Sequence, residues 1–154
     1  MNRNENVKPV KLKQFTYVSH QVHDFSVDDL RGLMVQSRRK NKELELTGLL
    51  LFDHPLFLQV LEGPEDSIDR IANDILADSR HRDMDIIHRN NNLREREFSR
   101  WRMGCKILGD GLPDDYRELD SRIKQLLIEA KPNGDVAHQL LLEFGKMKDS
   151  FIDI

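Results

Sequence analysis

Four polar side chains stand where their neighbours call for apolar ones. In the stretch "FLQVLEG", Gln59 sits among Phe57, Leu58, Val60 and Leu61. The stretch alternates as a strand does, and Glu62 on one face leans to solvent, which turns Gln59 inward with Phe57 and Leu61. Tyr17 shares a face with Phe15 and Ser19 in an earlier strand-like stretch. Ser37 and Asn41 extend a helical stripe begun by Val27, Leu30 and Met34. Each has an ordinary structural reading: a core tyrosine with its hydroxyl satisfied, or an asparagine that ends a helix in the left-handed conformation. A buried amide without a partner costs about 1–3 kcal/mol, so Gln59 needs one. Two amides and a phenol facing one cleft present donors and acceptors together, which is what a flat heterocycle with its own donors and acceptors requires.

The elements that would bring these groups together follow from periodicity. Leu12 to Ser19 alternates and is rich in β-formers. Ser26, with Asp29 three residues on, starts a helix that reaches about Lys40. Leu46 to Phe52 and Leu56 to Leu61 form a hairpin around "DHP". Pro64 opens a second helix, from Glu65 to about Ser79, with Ile68, Ile71, Ala72 and Ile75 on one stripe. Met84 to His88 is a weak strand, and Ser99 to Ile107 alternates Trp101, Met103 and Cys105 against Arg100, Arg102 and Gly104. The order is β-α-β-β-α-β plus a fifth strand, an α+β ferredoxin-like sandwich with both of these helices on one sheet face. Past "GDGLPDD" two helices follow, striped by Tyr116, Leu119, Ile123, Leu126 and Leu127, then by Val136, Leu140, Leu141, Phe144 and Met147. They must cover the open sheet face or meet another subunit. The chain therefore divides into a flexible arm (1–11), the sandwich (12–109) and a helical extension (110–154).

Composition removes several function classes. The 154 residues carry a net charge of −3, with 38% hydrophobic and 33% charged residues, as in a soluble globular chain. That balance argues against nucleic-acid binding by phosphate neutralisation. The cluster Arg89, Arg94, Arg96, Arg100 and Arg102 is interleaved with Glu95 and Glu97 and reads as a solvated mixed-charge face. No run is long enough to span a membrane and no signal peptide opens the chain, so a cytoplasmic location is expected. The single cysteine, Cys105, excludes an intramolecular disulfide and reads as a small buried hydrophobe. His20, His23 and Asp24 are too few to make a metal site.

Six segments, taken in order, carry a resemblance: "YVS" at 17–19, "SRRKN" at 37–41, "LTGLLLF" at 46–52, "FLQVLEG" at 57–63, "DSRH" at 78–81 and "FSRWRMG" at 98–104. Together they resemble the BLUF family of blue-light sensors using flavin, over about residues 12 to 107. The resemblance implies a ferredoxin-like domain that holds FAD, or else FMN or riboflavin, between its first two helices. It implies that Tyr17 donates an electron to the excited flavin and that Gln59 is the amide whose hydrogen bonds rearrange. Asn41 would hold the pyrimidine edge of the ring, Ser37 would support it, and Arg80 and His81 would lie near its far side and the ribityl or phosphate groups. Trp101 and Met103, on the last strand, would relay the change. Residue chemistry agrees: a phenol can lose and regain an electron and a proton, and an amide that turns changes the bonds offered to a ring carbonyl, producing a modest red shift.

The expected function is a photoreceptor and not an enzyme. No effector domain is recognisable after the sandwich, so output is expected through the two last helices or a separate protein partner, with self-association favoured by the apolar stripes. Two other readings are a flavin-dependent oxidoreductase and a cofactor-free ferredoxin-like interaction module. The first lacks paired carboxylates or a nucleophile beside a base. The second requires the inward polar residues to satisfy one another. Protein colour, and its response to blue light, separates all three.

Overall fold

The computed structural model describes residues 10–21, 26–53, 55–78, 81–108, 114–129 and 131–146, without the side chains of 81–83 and 114–116. The sequence dictates strand β1 (Leu12–Gln21), helix α1 (Val27–Leu44), the hairpin β2 (Thr47–Asp53) and β3 (Leu56–Pro64), and helix α2 (Glu65–Ala77). Strands β4 (His81–Leu93) and β5 (Gly104–Ile107) and helices α3 (Asp114–Leu127) and α4 (Gly134–Gly145) complete the chain. The sheet order is β4-β1-β3-β2-β5, with β5 parallel to β2 and the other neighbours antiparallel. Among the described residues no helix is long and apolar enough to cross a membrane.

Helix α1 begins where local chemistry predicts. The Ser26 hydroxyl accepts from the Asp29 backbone N–H while the Asp29 carboxylate accepts from Ser26 N–H, a complete capping box. The helix then continues past the expected end near Lys40, because nothing in "NKEL" breaks it. It closes at Glu45, whose φ of 60° places that residue, and not Asn41, in the left-handed region.

Two cores flank the sheet. Phe15, Tyr17, Leu50, Phe57 and Leu61 pack with Leu30 and Met34 of α1 and Ile68 and Ile71 of α2. On the other face, Leu49, Leu51, Leu58 and Val60 pack with Leu119, Ile123 and Leu127 of α3 and Leu140, Leu141 and Phe144 of α4. The apolar stripes of α3 and α4 thus close on their own sheet, and the expectation of self-association loses the support it drew from them. Val27, placed on the inward stripe by periodicity, is 52% exposed in the first turn of α1.

Three further expectations change. β4 is 13 residues long, far beyond Met84–His88, because pairing with nearly the whole of β1 overrides the weak strand propensity of its asparagines. The last strand is only Gly104–Ile107, so Trp101 and Met103 precede it. Glu62 does not lean to solvent: it is fully buried, since α3 and α4 cover the face that the alternation assigns to water. The first nine residues of the expected arm, His23, Asp24, Arg80 and Met147, together with the side chains of His81 and Tyr116, lie outside the described residues.

Candidate functional site

The site begins with sheet register. Tyr17 on β1 and Gln59 on β3 are directly opposed, both on the face covered by α1 and α2. Side chains opposed in this way stand within reach of one another. The Tyr17 hydroxyl donates to Gln59 Oε1, and Gln59 Nε2 donates to the Met103 sulfur at 3.3 Å. Gln59 is 7% exposed and Met103 is fully buried, so both bonds form away from water.

Met103 reaches the amide because α1 grips the segment before β5. Arg38 Nε donates to the Met103 carbonyl at 3.0 Å, and Asn41 Nδ2 donates to the Arg102 carbonyl. Gly48 N–H on β2 donates to the Trp101 carbonyl at 3.1 Å. Asn41 is therefore an interior helical residue with one amide end committed to the backbone of that segment. Trp101 turns the other way and packs against the core under α3 and α4. Residues two apart would share a face in a strand, but this stretch is not yet strand, and the two side chains part company.

Between α1, α2 and the sheet lies a cavity of about 140 Å³, an order of magnitude above the ~10–15 Å³ that one buried water needs. Tyr17, Ser37, Asn41 and Gln59 line it together with Met34, Phe57 and Ile71. At its mouth Lys40 of α1 bonds Asp74 of α2 at 2.8 Å, and that ammonium holds the Asp74 carboxyl below the usual carboxylate range. The wall also contains Gln21, which is buried and whose Oε1 has no hydrogen-bond partner. An orphaned acceptor of this kind is costly unless something else meets it. Apolar walls with a few convergent amide and hydroxyl groups fit a flat heteroaromatic ligand such as a flavin ring, so the chemistry of the site agrees with the ligand that its residue types suggest.

Of the residues expected at the site, Tyr17, Ser37, Asn41 and Gln59 line one cavity, and Met103 touches Gln59. Trp101 does not line it. His81 is placed only through its backbone, opposite Gln21 on β1. Four polar wall residues escape the sequence reading, Gln21, Lys40, Asp74 and Asp78. Gln21 carries a signal, since it continues the inward alternation Phe15, Tyr17, Ser19 by one step. Asp74 carries none, because its role as partner of Lys40 depends on how two helices cross. Cys105 is buried, which pushes its thiol up to about 12.

Comparison with known proteins agrees with this geometry. The family model described as "BLUF: Sensors of blue-light using FAD" matches residues 12–104. Photoactivated adenylate cyclase subunit beta of Euglena gracilis is 30% identical over 137 residues, 89% of this chain and 14% of that protein. The blue light- and temperature-regulated antirepressor BluF of Escherichia coli K12 is 36% identical over 70 residues, 46% of this chain and 17% of that protein. The chain thus spans about a seventh of the one relative and a sixth of the other. Among solved structures, the dark state of the BLUF protein BlrB superposes with a TM-score of 0.72 at 25% identity, covering 88% of this chain and 98% of that one. The photo-activated state of BlsA superposes at 0.75 and, at 19% identity, speaks for the fold, over 93% of this chain and 99% of that one. By the family match over residues 12–104, the chain belongs to the BLUF family, the sensors of blue light using FAD.

Proposed function

We propose that the chain binds FAD in the cavity between α1 and α2 and works as a blue-light switch, not as a catalyst, acting in the cytoplasm on a separate protein partner. The observation that carries this reading is the row Tyr17 hydroxyl, Gln59 amide, Met103 sulfur along the cavity wall. When bound, the flavin supplies absorption of blue light and an acceptor for an electron.

The chain's own groups supply the switch. The Tyr17 hydroxyl can donate or accept, so it can partner either end of the Gln59 amide. A thioether is a weak acceptor, so turning the amide away from Met103 breaks only a weak bond. The amide therefore has two orientations of similar energy, which is what a population switch needs. Gln59 has two amide hydrogens, and a ligand in the cavity can take the one that does not point to sulfur. Asn41 commits Nδ2 to Arg102 and keeps Oδ1 as an acceptor for a ring N–H. Ser37 adds a hydroxyl to the same wall, while Arg80 and His81 are assigned to the sugar-alcohol chain and phosphates. Met103 carries the amide's change to the segment before β5, and Trp101 carries it to the core under α3 and α4. On this reading the sensor unit is residues 12–109 and the output unit 110–154.

The test is spectroscopic. Purified protein reconstituted with FAD should be yellow, and under blue light its flavin band should move to longer wavelength and return in the dark. A colourless protein after reconstitution, or one whose flavin only bleaches or reduces a substrate, overturns the reading.

A further inference from the structure

Glu62 is an ionisable group buried on the far side of the sheet from Gln59. It lies on β3 three residues beyond Gln59, on the opposite face, and is fully buried. Sheet register puts Gln14 of β1 and Thr47 of β2 directly on either side of it. Each carboxylate oxygen accepts two hydrogen bonds. Oε1 accepts from Gln14 Nε2 at 3.1 Å and from the Glu97 backbone N–H at 2.9 Å. Oε2 accepts from the Thr47 hydroxyl at 2.9 Å and from the Phe98 backbone N–H at 2.8 Å.

Two of those donors belong to the backbone of the β4–β5 connection. This connection carries Met103 to the Gln59 amide, five residues after Phe98. Charge-assisted bonds to backbone N–H groups fix a loop more firmly than neutral ones, because the acceptor is ionised and short contacts form. A carboxylate stays dry on this face of the sheet only because four donors meet it, and two of the four are the connection's own backbone N–H groups.

We propose that Glu62 is a positioning residue for the photoactive amide: its buried carboxylate fixes the connection at Glu97 and Phe98 and thereby sets the Met103 sulfur against Gln59. This rests on the reading of Gln59 as the light-responsive amide. Glu62→Gln keeps the shape but gives one end of the side chain a donor; the Thr47 hydroxyl or the Gln14 amide can turn to accept from it, but the backbone N–H beside it, of Phe98 or of Glu97, loses its acceptor whichever way the amide turns.

The experiment measures dark recovery of the FAD-loaded protein after a blue flash for wild type, Glu62→Gln, Met103→Leu and the double variant. Glu62→Gln should keep its flavin and its red shift but recover about tenfold faster, the size of effect that losing one charge-assisted bond has on a rate. Because Glu62 acts through Met103, the double variant should recover as Met103→Leu does, within about twofold, whereas a merely structural role gives effects that multiply. Thr47→Val leaves the carboxylate but removes one of its donors, together with the hydroxyl that Arg96 of the connection donates to; it should shift recovery in the same direction, and it replaces Glu62→Gln in the cycle if that variant does not fold. A wild type without the shift sinks the photoreceptor reading and this one with it. A wild type that shifts, with Glu62→Gln and Thr47→Val recovering at its rate or multiplying with Met103→Leu, sinks this one alone.

Discussion

Replacing Gln59 by leucine should separate two properties that usually fall together, stability and function. The side chain is 7% exposed and makes two protein hydrogen bonds, one from the Tyr17 hydroxyl and one to the Met103 sulfur. Losing the first takes its acceptor from a buried hydroxyl and costs about 1–3 kcal/mol, and losing the second costs less, since sulfur accepts weakly. Against that loss, a leucine of similar volume gains roughly 1.5–3 kcal/mol by being buried, here among Leu50, Phe57 and Leu61. The two sides nearly cancel, which leaves the variant within about 2 kcal/mol of wild type. In urea, at about 1–3 kcal/mol per molar, the unfolding midpoint moves by no more than about 1–2 M. The substituted leucine can neither donate nor accept, so the reversible red shift should vanish while flavin stays bound. Unfolding followed by circular dichroism, with absorption spectra before and after blue light, checks both halves. A variant that keeps the full reversible shift refutes the amide's role, and one that loses several kcal/mol shows that the amide is held for structure and not for switching.

Two further outcomes follow from the environment of single groups. Burial first, and then the stacked imidazole of His138 at 4.4 Å between ring centroids, push the His88 imidazole below its ordinary value; the carboxylates of Asp135 and Glu97 oppose this. The folded protein then binds that proton less readily than the unfolded chain, so stability is present above the ordinary value of about 6.5 and is lost as pH falls below it. Melting temperatures at pH 7.5 and 5.5 should show a shallower acid loss for His88→Phe, which keeps a ring against His138; an unchanged slope contradicts the assignment. Cys105, fully buried with its thiol pushed up to about 12, should react with a disulfide reagent only as fast as the protein unfolds, and rapid labelling of the native state would contradict this.

Much of this is legible in residue pattern because β1, α1, the β2–β3 hairpin and α2 satisfy their own local rules. The capping box at Ser26, the Pro64 start of α2 and the apolar stripes needed no tertiary information. The inward placement of Gln59 also follows from alternation, although the reason given for it, a solvated Glu62, does not survive. Alternation can place two residues on opposite faces, but it cannot say that both faces are covered, and here α3 and α4 return to bury the second one. The same blindness affects the mixed-charge cluster. Arg96 Nη1 donates to the Thr47 hydroxyl at 3.0 Å, and Glu97 Oε1 meets His138 of α4 at 3.1 Å, so these two are structural ties and not a solvated face. Charge interleaving looks alike in both cases; only the partners, 49 and 41 residues away, differ.

The divergence of Trp101 and Met103 has a mechanical consequence that periodicity could not supply. Between Leu93 and Gly104 no ladder holds the backbone, so its position depends on donors and acceptors sent from elsewhere: Glu62 of β3 to the N–H groups of Glu97 and Phe98, Gly48 of β2 to the Trp101 carbonyl, and Asn41 and Arg38 of α1 to the carbonyls of Arg102 and Met103. Such a segment moves as a unit or not at all, because its ties run to three different elements, β3, β2 and α1. Its last residues insert into different cores, Met103 under α1 and α2 and Trp101 under α3 and α4, where Trp101 stands against Gly104 and Gly145. Packed cores resist small displacements and favour discrete rearrangements. On the reading proposed above, a change of partner at the Met103 sulfur would reach the residue two positions earlier, across the sheet, without any ligand having to touch the far face.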